Sequence, residues 1–321
     1  MRVVFMGSPE FALPSLRRLI ESEYEIVGVF TQPDRPSGRG RSLAPPPVKE
    51  LALAQRLPVF QPASVSSADA VAQLRELAPD VGVIAAYGQI LRQAVLAVPP
   101  LGILNVHASL LPRWRGAAPV PAAILAGDER TGATIMRVVR ALDAGPILDS
   151  LALDIAPDDT TATLLNRVAD AGAELLVDVL PRWAAGEMVA REQDEAMATY
   201  APQIRKPDAL INWERDSVDL VCRKVRAYDP WPVAYGYLNG GPLRILRALP
   251  LDVHTAASPG TIVRVDDALA GFAIVAADGL VGIAKVQAAG GRAMIAADFL
   301  RGHPEIIGKR LTAGAAEHRA G

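Results

Sequence analysis

A single cysteine, Cys222, stands in 321 residues, which excludes an intramolecular disulfide and any metal site built from clustered thiolates. Aromatic residues make up only 5% of the chain, so small aliphatic side chains must carry the burial. The four histidines have no ligand spacing, and no metal is expected. No hydrophobic run is long. The longest uncharged stretch, 93–112, is interrupted by Pro99, Pro100, Asn105, His107 and Ser109, whereas a membrane-crossing helix needs about 20 predominantly apolar residues. The opening Met1-Arg-Val-Val-Phe is too short and too polar beyond its end for a secretory signal. The expectation is therefore a cytoplasmic protein with no membrane partner. Nucleotide fingerprints are missing too. The first apolar run ends in Met6-Gly7-Ser8-Pro9-Glu10 rather than G-x-G-x-x-G, and no G-x-x-x-x-G-K-[ST] occurs, so neither a dinucleotide nor a P-loop nucleotide is indicated.

What is there suits a globular chain: 50% hydrophobic and 21% charged residues, at a length that favours two domains. Short apolar runs at 2–6, 25–30, 81–86 and 101–106 read as strands. Between them 11–20 and 68–77 carry apolar residues at helical spacing, and 160–180 is the clearest helix. Strand–helix alternation predicts an α/β fold, a Rossmann-like, mostly parallel sheet with helices on both faces. After a polar, proline-bearing stretch comes a short helix at 217–226. Five β-like runs follow, 233–238, 243–249, 260–265, 271–276 and 280–286, predicting a smaller β-barrel or sandwich. The boundaries are 1–188 for the first domain, 189–206 for the linker and 207–321 for the second domain. Net charge is −2, which argues against a chain that is basic throughout. Its distribution is uneven, with 18 Lys/Arg against 23 Asp/Glu before residue 205 and 15 against 12 after it. That pattern fits a polyanion held by one end, and equally an ordinary surface.

The chemistry gathers in Leu104-Asn105-Val106-His107-Ala108-Ser109 and in Ala141-Leu142-Asp143-Ala144-Gly145-Pro146. Asn105 and His107 are two apart at the end of a strand, so their side chains leave on one face. Open α/β sheets put their sites at such carboxyl ends. An amide beside an imidazole can stabilise an oxyanion and handle a proton, and a loop carboxylate at Asp143 can orient the ring. The same residues also serve as a hydrogen-bonded strand cap and a turn-forming Asp. The segment 31–49 is long, rich in Pro and Gly, and carries Arg35, Arg39, Arg41 and Lys49 against Asp34. A loop of this kind can follow a phosphate backbone or remain plain solvated surface.

Asn105, His107 and Asp143, within Asn-Val-His-Ala-Ser-Leu-Leu-Pro-Arg-Trp-Arg-Gly and Leu-Asp-Ala-Gly, resemble the triad and motif of the folate-dependent formyltransferases. Gly7-Ser8-Pro9-Glu10-Phe11-Ala12, Thr31-Gln32-Pro33-Asp34, Tyr200-Ala201-Pro202 and Ala227-Tyr228-Asp229-Pro230-Trp231-Pro232 extend the likeness across nearly the whole chain. It is nearest to the branch that formylates initiator methionyl-tRNA. Ala108 departs from the usual glycine, and Pro121 and Ala122 replace more polar residues. These changes bear on local substrate contacts and leave the triad intact.

The resemblance implies a catalytic set of Asn105, His107 and Asp143, with 10-formyltetrahydrofolate as co-substrate. The folate would lie along Tyr87, Gly88, Ile90, Leu91, Ser109, Leu110, Leu111 and Pro112. It further implies an OB-like second domain and a 31–49 loop directed at the tRNA. Arg35, Arg39, Arg41, Arg205, Lys206, Arg223, Lys224 and Arg226 are the candidate phosphate contacts, and a monomer is expected. The rival reading is a relative acting on a small amine such as a sugar nucleotide, which would need neither the basic loop nor the barrel.

Overall fold

Alternation of strand and helix builds the first sheet. The computed structural model describes residues 1–37, 42–253 and 255–314. The strands of the first sheet are β1 (Arg2–Gly7), β2 (Glu25–Phe30), β5 (Val59–Phe60), β6 (Val81–Ala85), β7 (Ile103–His107), β9 (Arg130–Arg137) and β10 (Ile147–Asp154). Two short strands, β3 (Arg35–Ser37) and β4 (Ser42–Ala44), pair with each other, and β8 (Arg115–Gly116) runs parallel to β11 (Tyr200–Ala201). The sheet order is β10-β9-β7-β6-β1-β2-β5, with every strand parallel except β9, which runs against both of its neighbours. The chain builds outward from β1 through β2 to β5, then returns to the other side of β1 as β6. The reversal puts a crevice at the carboxyl ends of β1 and β6, where such sheets bind ligands.

Both faces of this sheet are covered, which explains why its central strands are continuous apolar runs. Along β1, Val3 and Phe5 enter one core with Leu16, Leu19, Leu176 and Val179, while Val4 and Met6 enter the other with Phe30, Leu74, Ile84 and Tyr87. Full burial of each large side chain contributes about 1.5–3 kcal/mol. The helix Thr161–Ala184 continues past the end expected at 180, through Pro181. Its last turn is anchored by Trp183, whose indole N–H donates to the Leu101 carbonyl at 2.9 Å. At Gly172 it lies so near the sheet that a Cβ would sit 2.6 Å from Val106 Cγ1. Glycine here lets the helix press directly behind the strand that carries Asn105 and His107.

Contacts divide the chain into two units that are not two consecutive lengths. One comprises Met1–Pro119, Arg130–Asp154 and Leu165–Pro202, and the other Val120–Glu129, Ile155–Leu164 and Gln203–Gly321. The second unit contains β12 (Tyr235–Leu238), β13 (Gly241–Leu251), β14 (Ile262–Val263), β15 (Phe272–Val275), β16 (Leu280–Ala288) and β17 (Met294–Ile295). They form an antiparallel sheet in the order β12-β13-β16-β15-β14, with β17 on β16. It curls until residues 309–312 join its two margins. Thr312 exchanges hydrogen bonds with Tyr237 of β12, and Ile262 of β14 donates to the Lys309 carbonyl. Inside lie Trp213, Val221, Val225, Ile245, Phe272, Ile274, Ile283 and Leu311.

The helix Val218–Ala227 in this unit holds the one cysteine. Burial, aided by Asp219, pushes the Cys222 thiol up to about 11. Because the neutral form is favoured, only about one molecule in 10³ carries thiolate at pH 8. Alkylation of Cys222 at pH 8 is expected to run roughly 10²-fold slower than that of an unhindered cysteine, and to quicken about tenfold per pH unit up to that value. A rate matching a free thiol would contradict the burial.

Candidate active site

Asn105 and His107 occupy the carboxyl end of β7, opposite Met136 and Thr134 of β9. His107 is 6% exposed, whereas Asn105 is half-buried. Among the described residues the Asn105 amide makes no hydrogen bond, so its donors are available to a ligand. His107 Nε2 lies 3.0 Å from the Trp114 carbonyl. Since a carbonyl only accepts, Nε2 carries the hydrogen, and Nδ1 is the ring atom open to proton exchange. Nδ1 faces Asp143 Oδ2 at 3.7 Å. That carboxylate oxygen is fixed by the Gly116 N–H at 2.9 Å. The three side chains singled out from the sequence therefore meet at one end of the sheet.

The loop after β7 is pinned from several directions. Thr134 Oγ1 donates to the Ser109 carbonyl at 2.6 Å and accepts the Leu111 N–H at 3.2 Å, both buried. The Ser109 hydroxyl donates to the Arg113 carbonyl at 2.6 Å. Further along, the Trp114 N–H donates to Thr199 Oγ1, the Arg115 N–H to the Thr199 carbonyl and the Ala117 N–H to the Ala201 carbonyl. The stretch 189–206, read as a linker, thus clasps the loop through its residues 193–201. Arg115, 1% exposed, reaches Gln193 and forms a two-pronged pair with Glu195 at 2.9 and 2.8 Å. The hydrogen bond from Arg115 holds the Glu195 carboxyl below the usual range. None of Arg115, Thr134, Gln193, Thr199 or Glu195 was singled out as functional from sequence.

The residues assigned to folate divide into two kinds. The Tyr87 ring and Leu91 pack into the core, and burial pushes the Tyr87 hydroxyl up. Ile90 is 86% exposed, and Gly88 takes a left-handed φ of +80°. The Tyr87 carbonyl already accepts from Ser8 Oγ and Gln32 Nε2. Leu110 and Pro112 are half-buried and Leu111 is buried along the pinned loop.

The candidate phosphate contacts also differ in their surroundings. Arg39 and Arg41 lie outside the described residues. Arg35 is exposed and donates to Gln32. Lys49, counted with that basic loop, is tied to Asp34 through both carboxylate oxygens at 2.8 and 2.7 Å, and Gln61 donates to the same carboxylate. Arg205 and Lys206 are exposed, while Arg223 is half-buried. The Lys224 ammonium pairs with buried Asp216 at 2.5 Å and donates to the Leu210 carbonyl. Arg226 donates to the Asp159 carbonyl at 3.0 Å.

Among the described residues no helix is long and apolar enough to cross a membrane, and no three His, Cys, Asp or Glu side chains gather as a metal site.

Comparison with known proteins adds the following. A family model described as formyl transferase matches residues 1–180, and one described as formyl transferase, C-terminal domain, matches 203–304. The methionyl-tRNA formyltransferase of Methylococcus capsulatus is 50% identical over 311 residues, covering 97% of this chain and 99% of the relative. That of Nitrosococcus oceani is 46% identical over 302 residues, covering 94% and 93%. Among solved structures, HypX from Aquifex aeolicus in complex with tetrahydrofolic acid superposes with a TM-score of 0.61 at 19% identity, over 94% of this chain and 47% of that one. An N-formyltransferase from Helicobacter canadensis, bound to folinic acid and dTDP-3-aminofucose, gives 0.64 at 16% identity, over 88% and 98%. At those identities the two structures speak for the fold alone.

Proposed function

Because the chain belongs to the formyl transferase family, we propose that it transfers a formyl group from 10-formyltetrahydrofolate to the α-amino group of methionyl-initiator tRNA. The observation that carries the reaction is the half-exposed Asn105 amide, without a hydrogen-bond partner among the described residues, on the same strand end as a His107 whose Nδ1 faces Asp143 Oδ2 at 3.7 Å. The tRNA acceptor rests on the near-full-length likeness to enzymes of that name. The enzyme works as a single chain, since one chain supplies the whole triad, and in the cytoplasm.

The folate fits the carboxyl-end crevice, where Ile90 offers an exposed apolar side chain and Gly88 a left-handed turn after β6, the strand next to the one that carries Asn105. It supplies the formyl group, and the methionine amine receives it. Asn105 Nδ2 donates to the formyl oxygen as negative charge gathers there, a contribution of about 3 kcal/mol per donor in comparable acyl transfers. As the amine nitrogen bonds to the formyl carbon, His107 Nδ1 takes the proton the amine gives up and returns it to N10 of the folate as the C–N10 bond breaks, while its Nε2–H stays on the Trp114 carbonyl and fixes the ring. Asp143 Oδ2 provides the counter-charge for His107 and is itself kept in place by Gly116.

The first unit carries the chemistry and the second holds tRNA, with Arg205, Lys206 and Arg223 as its phosphate contacts. The assay that tests the whole reading supplies 10-formyltetrahydrofolate with charged initiator tRNA, charged elongator tRNA or an amino sugar nucleotide. Formylation of initiator tRNA alone is expected, and transfer to the sugar nucleotide alone would overturn it. Arg39→Ala and Arg41→Ala are each expected to raise the KM for tRNA severalfold and to lower the salt dependence of binding by about one unit per lost contact. The folate KM should stay within about twofold. Silence of both variants at moderate salt would remove the 31–49 loop from tRNA binding.

A further inference from the structure

Arg115, Gln193 and Glu195 have no part in the chemistry, yet their hydrogen bonds lead to both ends of Asp143. Arg115 lies between Trp114, whose carbonyl accepts from His107 Nε2, and Gly116, whose N–H donates to Asp143 Oδ2. The Arg115 side chain turns the other way, and its Nε donates to Gln193 Oε1 at 3.0 Å. Gln193 Nε2 then donates to two main-chain carbonyls, those of Asp143 at 2.8 Å and Gly145 at 2.7 Å. A closed ring results, running from the main chain of 114–116 through Asp143, Gln193 and the Arg115 guanidinium back to that main chain. The amide orientation is forced, because a donor stands on one side of Gln193 and two acceptors on the other.

We propose that Gln193, held by Arg115, is a positioning residue that sets the Asp143 carboxylate against His107; this rests on the reading of Asn105, His107 and Asp143 as the catalytic group. Two residues of the ring need such restraint. Trp114 has a φ of +63° and Asp143 one of +47°, left-handed backbone that costs about 1–3 kcal/mol in a non-glycine residue and persists only where the surroundings impose it. Gln193 grips the main chain of Asp143 while Gly116 grips its carboxylate, so position and direction are fixed independently. The grip is dry. Arg115 is 1% and Gln193 9% exposed, and water cannot readily replace a lost donor at either. Glu195, by contrast, has a 70% exposed side chain and neutralises Arg115 from the solvent side. Without the Gln193 amide the two carbonyls lose their partner, the loop relaxes and the Asp143–His107 separation changes. A displacement of about 1 Å at a reacting group costs on the order of 10²-fold in rate.

The test is Gln193→Met, which keeps length and volume but has no N–H. Its kcat is expected to fall about 10–100-fold, with the KM for folate and for tRNA within about twofold of the parent. The ¹⁵N resonances of the His107 ring, recorded without substrate, should move as they do in Asp143→Asn. A residue that merely braces the loop would leave those resonances in place. Should Gln193→Met not fold, Glu195→Ala decides on the same two readouts, because its exposed side chain can be removed without opening the core; its kcat is expected to fall by a factor of about 3–10. Parent-like kcat together with parent-like His107 resonances would overturn the proposal, as would a change confined to KM. If the parent protein formylates no acceptor while the ring resonances still shift, the assigned function falls and the positioning role stands.

Discussion

Replacing His107 with alanine should lower kcat by about 10²–10³-fold while tRNA affinity stays close to that of the parent. The imidazole is 6% exposed and touches the Trp114 carbonyl and Asp143, so its removal leaves the exposed surface of the protein nearly unaltered. Asn105→Ala should show a loss of the same order, because the amide has no internal partner whose absence could weaken the fold. Its donors act on the charge that develops in the transition state, and such an interaction appears in kcat rather than in KM. Asp143→Asn keeps the shape of the side chain but withdraws the negative charge facing Nδ1. Its pH–rate profile should therefore differ in form from the parent's, not only in height. Steady-state kinetics across a pH series, with tRNA and folate varied separately, read all three variants. Activity within tenfold of the parent for either alanine variant would exclude that residue from the chemistry. An unchanged profile in Asp143→Asn would dissolve the proposed His107–Asp143 couple.

The second large effect is expected in stability. A Cβ built on Gly145 would lie 1.7 Å from the Arg137 carbonyl oxygen, well inside the closest approach of carbon and oxygen, and main-chain atoms cannot swing aside as a side chain can. Gly145→Ala must therefore push 143–146 away from β9. The push also breaks the bond from Gln193 to the Gly145 carbonyl and displaces Asp143. The expected cost is about 2–4 kcal/mol, which for a chain of this size lowers Tm by roughly 3–6 °C. Activity at 25 °C should fall together with stability. Thermal unfolding followed by circular dichroism is the measurement, and a Tm within about 2 °C of the parent would mean that the loop has slack the distances do not reveal.

The same region marks where a sequence can be read and where it cannot. β1, β2, β6 and β7 are legible because strands buried on both faces become unbroken apolar runs. β9 and β10 were not anticipated. Arg130-Thr-Gly-Ala-Thr-Ile-Met-Arg mixes Thr, Gly and Ala at positions that are nevertheless buried, and its Gly132 is dictated by a neighbour, since a Cβ there would strike the Leu151 carbonyl at 2.0 Å. β10 lies at the sheet edge and exposes much of its length, so no clean alternation survives. The helix Pro47–Ala54 was hidden behind prolines that read as loop. In the site, Asn105, His107 and Asp143 could be picked out by residue type at a strand end and a turn. Gln193 could not, because a polar residue in a polar stretch looks like linker until Arg115, 78 positions away, meets it. The Lys224–Asp216 pair is equally hidden, since only folding brings the two together. That 120–129 and 155–164 group with the second unit is not legible in the sequence, because contact membership leaves no mark on local composition.

The joining of β12 and β14 by residues 309–312 bears on how the molecule is made. Synthesis proceeds from the amino terminus, and domains ordinarily fold as they emerge. Here the strands from 235 to 295 emerge with the β14 margin of their sheet bare and the β12 margin met only at Tyr235, by residues 210–211, leaving main-chain donors and acceptors that any extended chain could match. Only when 309–312 clears the ribosome can Thr312 reach Tyr237 and Lys309 reach Ile262. The barrel is thus sealed by the last stretch of itself to be translated. Until then the nascent chain is at its most vulnerable to pairing with a neighbour on the same message.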